Sequence, residues 1–239
     1  MVNPYNNNTG KKNEVRAMFN SIARSYDFLN HFLSFGVDYL WRRRTIRELK
    51  KYSPESVLDM ATGTGDLAIL AAKKIKAKIT GIDLSPEMIE VGKEKVIKRN
   101  LENRISFEVG DSENINYTDN TFDAAMVAFG VRNFENLEAG LKELSRVLKP
   151  TQPLLVLEFS KPTLFPFKQF YHFYSFKLLP LIGRIVSKDS WAYTYLPESI
   201  NAFPGGDDFI DIMRSCNFEN CKQISLSAKI ATIYIGHKV

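Results

Sequence analysis

From residue 56 onward, short apolar runs alternate with segments whose apolar positions recur every three to four residues. Residues 57–60, 78–82, 105–109, 124–128 and 154–158 read as strands, and 66–75, 85–100 and 137–148 read as helices. Ser85 is a candidate N-cap, and Pro86 suits the first turn of the helix it would open. Repeated units of this length predict an α/β fold with a parallel, twisted sheet covered by helices on both faces. Ahead of it, Val15, Met18, Phe19 and Ile22 mark a helix over 13–24, and a second periodic segment runs over 39–49. Between them, residues 26–36 hold Tyr26, Phe28, Phe32 and Phe35, too many rings for a solvated loop; they are expected in the core or over a ligand. The chain closes with a helix over 207–216 and two candidate strands, 222–227 and 230–237, which form an antiparallel pair at the sheet edge. Residues 161–203 break the pattern, with ten aromatics between 165 and 195, and read as a functional insertion.

The first strand ends in Asp59 and runs into a glycine-rich turn, Ala61-Thr62-Gly63-Thr64-Gly65-Asp66. Gly63 and Gly65 permit a tight turn and let backbone N–H groups approach a ligand, with a helix amino end aimed at the same spot. Ligands of such sheets bind beyond the carboxyl ends of the strands, where strand order reverses. Asp59, Asp83 and Asp111 all fall at such ends or just beyond them. Asp83 is placed to accept from both ribose hydroxyls of a nucleoside, Asp111 from an adenine amino group with Ser112 beside it, and Asp59 to orient the loop or meet a cationic ligand group.

Length and charge narrow the choice. With 239 residues and no Ser/Gly/Pro-rich linker, the expectation is a flexible tail over 1–12 and a single domain over 13–239, its first part, 13–50, a helical cap. The tail has no apolar core of the secretory kind. A net charge of +5, with acids and bases interspersed, is no nucleic-acid footprint but allows weak attraction to an anionic membrane surface. Cys216 and Cys221 have neither zinc nor redox spacing, so no metal is expected, and a reduced, cytoplasmic protein is the simplest reading. The apolar stretch 164–186 is interrupted by Pro166, Lys168, Lys177, Pro180 and Arg184 and is too broken to span a bilayer.

Two enzyme classes compete for the loop. Gly63 to Ala68 satisfies the dinucleotide pattern, which admits a nicotinamide-dependent oxidoreductase. Against it, Asp66 would repel a pyrophosphate at the helix terminus, whereas S-adenosylmethionine carries a sulfonium and no phosphate. A non-catalytic cofactor- or quinone-binding module is a third reading. Taken together, Tyr26-Asp27-Phe28-Leu29-Asn30 with Ser34 and Trp41, the glycine loop, Phe129-Gly130-Val131-Arg132-Asn133, Arg146 to Pro150 and Glu158-Phe159-Ser160 resemble the C-methyltransferases of menaquinone and ubiquinone biosynthesis. The likeness runs from about Val15 to the end, through Trp191-Ala192-Tyr193 and Pro204-Gly205-Gly206.

The resemblance implies a Rossmann-like class I fold and an S-adenosylmethionine-dependent enzyme that methylates a ring carbon of demethylmenaquinol, with a ubiquinone precursor as an alternative substrate. It carries the cofactor role to Thr62, Asp83, Asp111 and Ser112, and the acceptor role to Tyr26, Phe129 and Tyr195. Attack by a ring carbon requires the neighbouring hydroxyl to lose its proton, so the site must stabilise a phenolate. Arg132 is the first candidate, with Asn133 orienting the same oxygen or a bridging water. None of His31, His172 and His237 is placed as an evident base, which leaves a water to carry the proton. An isoprenoid tail would be received by 164–185, with reversible contact at the inner face of the cell membrane; a homodimer is compatible with this reading. The chain departs from the family pattern at Asp38, where histidine is favoured, and at Thr151-Gln152, where two glycines are favoured.

Overall fold

The computed structural model describes residues 2–5, 7, 9–162, 169 and 191–239. Most of the aromatic insertion, 163–168 and 170–190, therefore lies outside the described residues, including the segment expected to receive the tail. Two helices come first, α1 (Lys11–Leu33) and α2 (Val37–Leu49). Alternating units follow: β1 (Ser56–Met60), α3 (Asp66–Lys74), β2 (Lys78–Asp83), α4 (Pro86–Ile97), β3 (Ile105–Val109), β4 (Ala124–Ala128), α5 (Leu137–Val147) and β5 (Pro153–Phe159). The chain ends with α6 (Trp191–Ala202), α7 (Asp207–Ser215), β6 (Phe218–Leu226) and β7 (Ala231–Lys238).

The sheet order is β3-β2-β1-β4-β5-β7-β6; the first five strands are parallel, and β7 pairs antiparallel with both β5 and β6. The central strands β1, β4 and β5 are buried on both faces, which is why they read as largely apolar runs, while the edge strand β3 exposes Ser106, Glu108 and Val109. Along β1, Val57 packs into the layer under α2 and α3, while Leu58 and Met60 pack into the opposite layer with Leu141, Leu144, Phe209 and Met213. Ser85 caps α4 by accepting from the Met88 amide at 3.2 Å. Among the described residues, no helix is long and apolar enough to cross a membrane.

Three expectations need correction. A flexible tail over 1–12 is too long, because Lys11 and Lys12 are already helical and bond to the segments that follow β4 and β3, Lys11 to the carbonyls of Arg132 and Phe134 and Lys12 to Asp111. The segment 26–36 was expected outside the first helix, but α1 continues to Leu33. Its exposed phenylalanines interrupt the usual apolar-in, polar-out rhythm and hide the helical period. The edge strand β6 begins at Phe218 rather than 222, because Glu219 and Asn220 face solvent and give no apolar signal.

One packing device sets the position of the glycine loop. The Phe107 ring sits in a recess left by three glycines: a Cβ on Gly65 would lie 2.3 Å from it, on Gly81 2.5 Å and on Gly92 3.0 Å. The ring thereby bridges β2, α4 and the loop. Thr151, at the departure from the family pattern, holds a φ of 66° in the turn before β5, at the end of the sheet away from the loop.

Gly81→Ala is expected to lower stability by about 1–3 kcal/mol in urea unfolding, through overpacking against Phe107. In the Gly81→Ala/Phe107→Leu double variant the penalty of the alanine should shrink; full additivity would show that the ring is not the obstacle.

Candidate active site

Strand order reverses between β1 and β4, and the loops that follow these two strands face each other across the crevice. Both begin with a non-glycine residue in the left-handed region, Ala61 at φ 53° and Phe129 at φ 59°. The loops nearly touch: a Cβ on Gly130 would lie 2.6 Å from the Ala61 Cβ. Phe129 thereby projects its ring away from the strand line, where it forms part of a wall with Phe19 and Tyr26 from α1.

That wall separates two cavities. The first, about 700 Å³ including space open to solvent, is lined by Gly63, Asp83, Asp111 and Ser112, with Lys12, Arg16 and Met88 closing it from the helical side. The second, about 740 Å³ on the same measure, is lined chiefly by α1 and α2 residues such as Leu29, Leu33 and Arg42, together with Arg132, Phe159 and Tyr195. Phe19, Tyr26 and Phe129 line both.

Of the residues singled out for a cofactor, Gly63, Asp83, Asp111 and Ser112 line the first cavity, whereas Asp59, Thr62 and Gly65 do not. Asp59 is fully buried and accepts from the Thr62 hydroxyl at 2.6 Å. Burial pushes its carboxyl up to about 7 against the pull of that hydrogen bond, and the nearby Asp83 adds to the rise. It anchors the loop from beneath rather than meeting a ligand. Gly65 is covered by Phe107. Asp83 accepts from the amides of Gly63 at 2.7 Å and Ser85 at 2.9 Å, and its burial likewise raises its pKa. Asp111 is paired with Lys12 at 2.7 Å.

In the acceptor group, Arg132 donates to Glu158 at 2.7 Å and to the Phe129 carbonyl, and Nε reaches Ser199 at 3.3 Å. Both charged side chains are buried. Asn133 accepts from the Tyr195 hydroxyl at 3.0 Å and lines the first cavity, while Arg132 and Tyr195 line the second. Burial pushes the Tyr195 phenol up to about 12, so it stays a donor.

A polar network that the sequence did not disclose staples the loop to the helical cap. Lys95 reaches Asp66 at 2.5 Å, Asp27 at 2.6 Å and the Thr64 hydroxyl at 3.0 Å. Asp27 also accepts from Thr64. His31 lies between Asp38 at 2.8 Å and Asp66 at 3.2 Å. The buried Asp38 further accepts from Ser34 at 2.6 Å and from Arg42. Asp66 is the first residue of α3, where the helix read over 66–75 also begins. Burial opposes its charge, but Lys95 and Arg42 outweigh that and hold its pKa down. The one hint of this network was Asp38 itself, which departs from the family pattern; pairs such as Lys95 with Asp27 left no periodic trace. Among the described residues, no three histidines, cysteines or acids are grouped to hold a metal.

The loop amides decide which cofactor fits. Thr62 N–H donates to Ile82 at 3.0 Å, Gly63 N–H to Asp83 and Gly65 N–H to Thr62 at 3.0 Å. These three amides are spent within the protein, which leaves few of the turn's donors for a pyrophosphate. What faces the cavity instead is a carboxylate at each of two strand ends, Asp83 and Asp111, suited to ribose hydroxyls, an amino group and a cation. These acceptors, with a negative charge where a sulfonium would lie, fit S-adenosylmethionine, and relatives agree. The ubiE/COQ5 methyltransferase family profile matches residues 7–238. The chain belongs to that family.

A demethylmenaquinone methyltransferase of Porphyromonas gingivalis is 47% identical over 99% of this chain and 98% of its own. A ubiquinone/menaquinone biosynthesis C-methyltransferase of Geotalea daltonii is 46% identical over 96% and 98%. Among solved structures, the [4+2]-cyclase SpnF superposes with a TM-score of 0.67 at 16% identity, covering 96% of each chain. A possible histamine N-methyltransferase of Thermotoga maritima gives 0.65 at 19%, covering 93% of this methyltransferase and all of that chain. These structural likenesses speak for the Rossmann-like methyltransferase fold.

The raised pKa of Asp59 has a consequence for stability. A group that binds its proton more tightly when folded stabilises the fold at low pH and loses that contribution as pH rises through the folded value. Asp59→Asn keeps the acceptor for Thr62 but cannot ionise. Relative to the parent, the variant should therefore gain stability in urea unfolding as pH rises from about 4 to about 7, by a few kcal/mol at most. A gap that stays constant over that range would show that Asp59 titrates normally.

Proposed function

We propose that this enzyme transfers a methyl group from S-adenosylmethionine to a ring carbon of demethylmenaquinol, giving menaquinol. The observation that carries the reading is the pair of cavities divided by one aromatic wall at the strand reversal. Donor and acceptor would meet where the two cavities adjoin, beside the edges of the Tyr26 and Phe129 rings that line both, so that little reorientation remains for the transfer itself. When bound, S-adenosylmethionine supplies an electrophilic methyl on a sulfonium. Asp83 and Asp111 would hold its hydroxyl and amino groups, and Ser112 would support them.

In the second cavity the chain supplies two guanidiniums. Arg132 and Arg42 are each fixed by a buried acid, Glu158 and Asp38. Their positive field favours the phenolate over the phenol, which makes the adjacent ring carbon nucleophilic. Phe129, with Arg42 over its ring at 5.5 Å, and Phe159, with Arg132 at 5.5 Å, provide apolar faces for a flat acceptor. Asn133 lines the first cavity and is held by Tyr195, which lines the second, so it would act on the acceptor from their boundary, orienting its oxygen or a bridging water through which the proton leaves. The name of the Geotalea relative favours a ubiquinone precursor as a second acceptor. Since such acceptors live in the bilayer, the enzyme works at the inner face of the membrane as a peripheral protein.

Purified enzyme given labelled S-adenosylmethionine and chemically reduced demethylmenaquinone should yield labelled menaquinol; cofactor binding without any transfer would sink the reading. Asp83→Ala should weaken S-adenosylhomocysteine binding about 10- to 100-fold in calorimetry, the loss expected for hydrogen bonds to a charged group. Arg132 is best probed as Arg132→Lys, because alanine would strand the buried Glu158 charge. That variant should bind S-adenosylhomocysteine normally while kcat falls about tenfold or more. Unchanged kcat would remove Arg132 from the mechanism.

A further inference from the structure

We propose that the corner where α1 meets α2 is the enzyme's docking surface for an anionic lipid bilayer. This rests on the reading of the acceptor as a membrane-borne quinol and names the surface through which the enzyme would reach it. Five large apolar side chains keep half or more of their surface exposed there: Phe28 (63%), Phe32 (53%), Phe35 (80%), Tyr39 (50%) and Leu40 (61%). They come from the last turns of α1, the connecting turn and the first turn of α2, so they crowd one tip. Phe28 and Phe32 stack on each other with centroids 5.8 Å apart, while their rings remain outside the core. An apolar group of this size on a protein surface marks a place of interaction.

The charges around the tip identify the partner. Arg24 lies one turn before Phe28 on α1, and Arg43 and Arg47 lie one and two turns beyond Tyr39 on α2, all of them exposed. From 24 to 51 every exposed residue is either one of the five apolar side chains or a lysine or arginine; no acid is exposed there. Four helical residues span about 6 Å, so an apolar tip with a cationic ring about one turn back matches the depth at which a peripheral helix meets the headgroups. A second copy of the chain would bring the same basic ring against it, which like-charge repulsion disfavours. Negative headgroups complement it.

The surface also leads to the right place. The inner faces of the same helices, through Leu29, Leu33, Asp38 and Arg42, line the acceptor cavity. A quinol would thus pass from the bilayer to the cavity along the two helices without crossing water.

The test is vesicle flotation with the full chain, on phosphatidylcholine alone and on phosphatidylcholine with phosphatidylglycerol. The parent should float with the anionic vesicles, less so at high salt. Phe32→Ser/Leu40→Ser should lose binding at least about tenfold, and so should Arg43→Glu/Arg47→Glu on the anionic vesicles, since each basic residue near the surface contributes roughly a factor of five. None of these side chains lines either cavity. With a short-tailed, water-soluble quinol both variants should turn over like the parent, and with a long-tailed quinol held in anionic vesicles both should slow in step with lost binding. Parental flotation by both variants would overturn the proposal. So would unchanged flotation with a lowered Tm and new proteolysis within 163–190, which would mean that the chain's own segment covers the tip. A loss of dimer rather than of flotation would likewise assign the tip to a second copy. If the parent floats but never methylates the soluble quinol, the surface stands and the proposed acceptor falls.

Discussion

The organising constraint is the near-contact between the loops that leave β1 and β4. Parallel strands that diverge to opposite faces open a crevice, and its width is set by how closely the two departing backbones pass. Here only a hydrogen on Gly130 separates its Cα from the Ala61 methyl. Neither loop can shift toward the other, and both leave their strands through a left-handed residue, a conformation that costs alanine and phenylalanine about 1 kcal/mol or more. The strain is held where a partition is needed: the turn at Phe129 places an aromatic ring between two spaces that would otherwise merge.

Around that partition, the polar groups divide into those that hold the protein and those left for ligands. The glycine loop has the amides of Thr62, Gly63 and Gly65 satisfied internally, its underside fixed by the buried Asp59 and its far end tied to α1 and α4 through Lys95. A loop held at this many points is largely fixed before a ligand arrives. Preorganisation of this kind lowers the ordering cost of binding and narrows what can bind. The same division appears in the second cavity, where each arginine is oriented by a buried acid and keeps its field directed at the open space.

The sheet could be read from the chain because its central strands are buried on both faces, so that 124–128 is apolar throughout and 57–60 is broken only by Asp59. The carboxyl ends of the strands then located Asp83 and Asp111 without further information. Spacing alone could not tell which residues of the loop face inward: Asp59 and Thr62 sit as near the turn as Gly63 does, but they point under it. The cap was harder. Phe28 and Phe32 put apolar rings on the outer face of α1, which erased the amphipathic rhythm and concealed the last nine residues of the helix. The staple from Lys95 to Asp27, across 68 positions, depends on tertiary packing and has no local signature.

Helix α1 deserves a mechanical description. With 23 residues it is about 34 Å long, enough to reach across the whole sheet. Its first turn is tethered by Lys11 to the carbonyls of Arg132 and Phe134, and by Lys12 to Asp111 and Glu113. Its middle supplies Phe19 and Tyr26 to the partition, and its last turns form part of the outer tip. A single stiff beam therefore roofs both chambers, and a displacement at one end is felt at the other. The two guests share one lid, so their residence times are coupled: release of either loosens the confinement of its neighbour.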